Sequence, residues 1–125
     1  MRKNFALASL LLGSVLTVDS VEAITPPVDV DGYVCQAMYT KQLNTLFGQG
    51  YVRITVLTAA GCSGSLLGYY YYPGANASIV GYQYSEAERL QLFQQAAKAA
   101  KDGTRVRLFV QPTGGCILMT TYFGN

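Results

Sequence analysis

Hydrophobic and polar residues alternate with a period of two in two stretches of the chain, from residue 51 and again from residue 104. The clearest run is YVRITVLTAAG, Tyr51 to Gly61. Val52, Ile54 and Val56 fall on one face, and Arg53, Thr55 and Leu57 on the other, the pattern of a half-buried strand. GYVCQAMYT, Gly32 to Thr40, has the β-branched and aromatic content of a preceding strand that extends towards Phe47. Gly48-Gln49-Gly50 predicts the turn between them. Ile24 to Asp31, with Pro26-Pro27, reads as an extended leader. Cys62-Ser63-Gly64-Ser65 turns the chain into LLGYYYY, a third strand stopped by Pro73-Gly74.

The period changes at Ser85. Ser85-Glu86-Ala87-Glu88 is a capping box, in which Ser85 caps the first amides and Glu88 reaches back. It predicts a helix to about Lys101, ended by Gly103. Glu86 and Glu88 at its start and Lys98 and Lys101 at its end suit the helix dipole. Leu90, Phe93, Ala96, Ala97 and Ala100 are the expected buried stripe. Alternation then returns, with Val106, Leu108 and Val110 opposite Arg105, Arg107 and Phe109. Pro112-Thr113-Gly114-Gly115 predicts a hairpin turn, and Cys116 to Phe123 the returning strand.

The order is therefore β-β-β-α-β-β, mainly β with one helix. That is the element order of an OB-fold-like five-stranded barrel, whose helix plugs the gap between strands three and four. Residues 24–125 are expected to form it as a single domain.

The first 23 residues look different. Arg2 and Lys3 precede an apolar stretch from Phe5 to Val18, and Val21-Glu22-Ala23 fits a cleavage site. This reads as a secretory signal peptide, too short to span a membrane comfortably, so no membrane span is expected and the location is periplasmic or secreted. In that oxidising setting two of Cys35, Cys62 and Cys116 are expected to pair, leaving a free buried thiol or an intermolecular link. The formal net charge of +2 argues against a nucleic-acid partner.

Candidate catalytic chemistry is sparse. The chain has no histidine, which removes the commonest general base and most zinc sites. Glu86 and Glu88 already have a capping role. Asp29-x-Asp31-Gly32 lacks the remaining ligands of a calcium loop. Asn76-Ala77-Ser78 reads as an ordinary turn. No enzyme activity, metal or cofactor is expected.

Element order, export and the stretch from the amphipathic helix through GTRVRLFVQP resemble the B subunits of AB5 toxins, in the subtilase-cytotoxin and pertussis-like group. The resemblance covers about the last 40 residues in pattern and the mature chain in element order. It implies a ring-forming, glycan-binding subunit, so a glycan or protein partner and a homo-oligomer are the expectations. On such a barrel, strands one and two pairing around Gly48-Gln49-Gly50 put Cys35 opposite Ser63, beside Cys62. Parallel strands three and five bring Cys116 near Cys62 as well. Cys35–Cys62 is the favoured disulfide and Cys62–Cys116 its rival.

Gly68 to Gly74, GYYYYPG, supplies the candidate contact surface. Strand alternation sets Tyr69 with Tyr71 and Tyr70 with Tyr72, one pair inward and one outward. Aromatic faces stack well on sugar rings. Tyr70, Tyr72 and Tyr82, with Arg105 and Arg107 as an anion clamp, are the candidate ligand residues. A periplasmic structural or inhibitor-type interaction protein without a sugar site is the alternative.

Overall fold

The structure is a computed structural model that describes residues 25–79 and 82–124. The proposed signal peptide, residues 1–23, lies outside the described residues. Five strands and one helix follow the expected order: β1 (Val28–Asn44), β2 (Gly48–Ala59), β3 (Ser63–Tyr72), α1 (Glu86–Asp102), β4 (Arg105–Gln111) and β5 (Cys116–Tyr122). The strands close a barrel in the order β1-β2-β3-β5-β4, with β4 returning to β1. The described residues are thus mainly β, an OB-fold-like barrel with one helix.

Alternation decides the barrel's inside. Val52, Ile54 and Val56 from β2 and Val106, Leu108 and Val110 from β4 are all buried. Val34, Tyr72 and Ile117 fill the space between them. Removing each such side chain from water contributes roughly 1.5–3 kcal/mol. The outward residues of β2 and β4 are the ones the pattern assigns there.

The first hairpin differs from expectation. β1 begins at Val28, four residues before the predicted strand, because Val28 to Tyr33 pair with β4. The leader reading of Ile24 to Asp31 therefore fails for Val28 to Asp31. The turn lies at Thr45 to Phe47, and Gly48 already pairs with Asn44. Asn44 makes that turn: its side-chain oxygen accepts from the amides of Leu46 and Phe47, both at 2.9 Å. Gly48 is needed for a different reason. Its φ is +81°, and a Cβ there would sit 2.3 Å from the Ala75 carbonyl oxygen.

The earlier turn also shifts the register, so Val34 faces Val56 and Cys35 does not face Ser63. The Cys35–Cys62 disulfide forms nonetheless, with Cα atoms 4.6 Å apart. A bulge between Val34 and Gln36 takes Cys35 out of the ladder, and irregular pairing from Val56 to Ala59 bends the second hairpin. Cys116 is free and buried. It pairs with Tyr71, near the end of β3, whereas Cys62 lies before its start. The expected gathering of three cysteines at one pole is therefore wrong: the end of β3, not its start, meets β5.

α1 has the predicted capping box at Ser85 and Glu88 and a left-handed Gly103 at its C-terminus. Its buried face is rotated from the expected one. Arg89, Ala96 and Ala99 are buried, with Leu92, Phe93 and Ala100 partly so, while Leu90 and Ala97 are exposed. An arginine on the inner face disguised the true stripe.

Candidate functional site

β3 separates its four tyrosines across the barrel wall. Tyr72 is completely buried. Its ring meets Tyr84 edge-on at 5.2 Å, and its hydroxyl pairs with that of Thr120. Burial pushes its phenol well above the ordinary value. Tyr70 is half-buried against the core, and its hydroxyl donates to the Leu67 carbonyl at 3.3 Å. This corrects the assignment of Tyr70 and Tyr72 as surface contacts: Tyr72 has no surface to offer a ligand, and Tyr70 offers only part of one.

Tyr69 and Tyr71 face outward and belong to a wider aromatic face. Tyr71 stacks on Phe47, with ring centroids 3.8 Å apart and planes 12° from parallel. Tyr51 is tilted against both, at 5.6 Å from Phe47 and 6.0 Å from Tyr71. Arg53 lies opposite Tyr71 in the β2–β3 ladder, and its guanidinium carbon is 5.2 Å from the centre of the Tyr69 ring. Tyr69 is 49% exposed. The local cause is simple: Tyr51 and Arg53 are the outward positions of β2, and Tyr69 and Tyr71 those of β3. The turn built by Asn44 then brings Phe47 over Tyr71.

The other predicted residues are elsewhere. Tyr82 is exposed and leans edge-on against Tyr84 at 4.7 Å. Tyr84 is fixed by donating its hydroxyl to the Ile117 carbonyl at 2.8 Å. Arg105 covers the Phe123 ring at 3.9 Å. Arg107 grips Asp31 through two nitrogens, Nε at 2.7 Å and Nη2 at 3.2 Å. The hydrogen bond from Arg107 holds the Asp31 carboxyl below the usual carboxylate range. Arg105 and Arg107 thus already have partners within the chain, and they do not join the tyrosines in one site.

Sequence reasoning missed Phe47 and Tyr51 because both flank a turn placed three residues too late. The signal was present in β2, where Tyr51 shares the parity of Arg53, but it needed the register of β3 to become a surface.

Among the described residues no helix is long and apolar enough to cross a membrane. Compared with protein-family models, curated proteins and solved structures, the chain matches none of them. The barrel, the Cys35–Cys62 bond and the β2–β3 aromatic face define a small disulfide-bonded OB-fold-like protein with an aromatic outer face.

Proposed function

We propose that the protein is an exported, non-enzymatic recognition module that holds a glycan on the outer face of β2 and β3. The observation that carries this reading is the aromatic face itself: Tyr69 exposed beside Arg53, with Tyr51 and the Phe47–Tyr71 stack alongside. Aromatic rings offer flat apolar surface to the C–H faces of sugars, and their hydroxyls and the arginine offer hydrogen bonds to sugar hydroxyls. OB-type barrels use the face of their second and third strands for oligosaccharides. The disulfide favours an oxidising compartment, in agreement with the signal-like N-terminus. The AB5-like element order supports a toxin-like B subunit as the fuller form of the proposal. A glycan array probed with wild-type protein and with Tyr69→Ala tests it.

One observation favours a second reading, self-association. β3 meets β5 only at Tyr71 and Cys116, so its edge from Ser63 to Tyr70 has no partner strand on that side among the described residues. Leu66 and Leu67 beside it are 53% and 40% exposed. An open edge with apolar neighbours can add a strand from a second copy. Light scattering on the protein and on Leu66→Lys reads this directly: a wild-type oligomer that Leu66→Lys dissociates supports it, and a wild-type monomer at high concentration removes it.

A further inference from the structure

Arg89 is the fourth residue of α1 and only 6% exposed. Nη1 donates to the Tyr84 carbonyl. Nε has no hydrogen-bond partner among the described residues. Neither ion pair among the described residues involves Arg89. A buried guanidinium with so few partners is costly, and an aliphatic residue here would extend the apolar stripe of Leu92, Phe93 and Ala96. Stability alone therefore does not explain an arginine at this position.

Its surroundings do suggest a use. Arg89 lines a cavity of about 280 Å³ with Tyr39, Lys41, Gln49, Gly50 and Glu86. The guanidinium faces Gly50, where a Cβ would lie 3.2 Å from Nη2 and 3.3 Å from the Tyr39 hydroxyl. Glycine keeps that side open. Two cations, Arg89 and Lys41, face one carboxylate, Glu86, which the Tyr39 hydroxyl holds with a 3.3 Å hydrogen bond. The cavity is left with one net positive charge, and the N-terminal end of α1 adds to it. Nη2 of Arg89 lies beside Gly50 in the wall of this cavity, and Nε is shut off from solvent.

We propose that the cavity at the N-terminal end of α1 is a binding site for a small carboxylate-bearing ligand, with Arg89 as its first cation, through Nη2, and Lys41 as its second. Glu86 and the Tyr39 hydroxyl oxygen would accept hydrogen bonds from hydroxyls next to the carboxylate. The site is separate from the aromatic face and does not depend on it.

The test is a titration of isotopically labelled protein, following arginine Nε–H signals, with glucuronate, glucose and inorganic phosphate as probes. Arg53 also has a buried Nε, so Arg53→Lys assigns the two signals. Glucuronate is expected to shift the Arg89 signal saturably in the millimolar range, with no effect of glucose. Lys41→Gln should weaken that response severalfold, and Tyr69→Ala should leave it unchanged. Arg89→Met should abolish glucuronate protection against heat while keeping the melting temperature at or above that of the free wild type. No glucuronate shift, an equal shift with glucose, a shift with phosphate alone, or a folded Arg89→Met that is still protected by glucuronate would each overturn the proposal. If Arg89→Met does not fold, the wild-type titration decides by itself.

Discussion

Tyr71 and Tyr72 are adjacent in the chain and point to opposite sides of the barrel wall. Tyr71 lies flat on Phe47 outside, and Tyr72 has no exposed surface and meets Tyr84 inside. The two should therefore answer differently to the same truncation. Tyr72→Ala opens a large core cavity and is expected to cost about 3–5 kcal/mol, enough to unfold a marginal domain. Tyr71→Ala loses an aromatic pair on the surface, and about 0.5–1.5 kcal/mol is expected. Urea unfolding curves of the two variants measure both, and equal costs would contradict the inward and outward assignment.

The Cys35–Cys62 bond closes a sequence separation of 27 residues. Replacing both cysteines by serine should cost about 3–4 kcal/mol, on the loop-entropy view of disulfides. Cys116 is buried, and burial raises its thiol pKa. A thiol reagent should therefore label no cysteine in the native protein and one after unfolding. Rapid labelling of the folded protein would mean that Cys116 is accessible.

Alkaline pH gives a further check. Burial raises the phenols of Tyr70, Tyr72, Tyr84 and Tyr122 above the ordinary value of 10.0, Tyr122 to about 12. The folded state thus favours their neutral form. Their contribution to stability is complete below pH 10 and is lost as pH rises through the folded-state values. The tyrosinate absorbance of the native protein should carry a late phase reaching pH 12 that is missing from the curve in denaturant. Superimposable native and denatured curves would contradict this.

The capping box at Ser85 makes a local prediction. Ser85 accepts from the Glu88 amide at 3.2 Å, and Glu88 accepts from the Ser85 amide at 2.8 Å. Ser85→Ala should cost about 1 kcal/mol, with Ser85→Asp close to wild type. Thermal unfolding of the pair reads this, and an unchanged Ser85→Ala would mean that the cap is idle.

Much of this fold can be read from residue types. Alternation in β2 and β4, the capping box and the Pro73 stop are local signals, and the structure contains each of them. What escaped depends on register. Asn44 builds a turn three residues before the glycines that advertise one, and the bulge at Cys35 follows from the ladder rather than from composition. Arg89 carries a charge into the inner face of α1, where a hydropathy pattern expects none. The tyrosine run reveals its two pairs at once, but only pairing with β2 decides that Tyr69 and Tyr71 are outside.

Glycan binding by the β2–β3 face is tested most directly by titrating a glycan retained on the array against wild-type protein and Tyr69→Ala. Tyr69 is half exposed, so the variant should stay folded. Saturable wild-type binding that weakens at least about tenfold in Tyr69→Ala, the equivalent of about 1.4 kcal/mol, is the predicted result. An array that retains no glycan, or a Tyr69→Ala that binds as tightly as wild type, would contradict it.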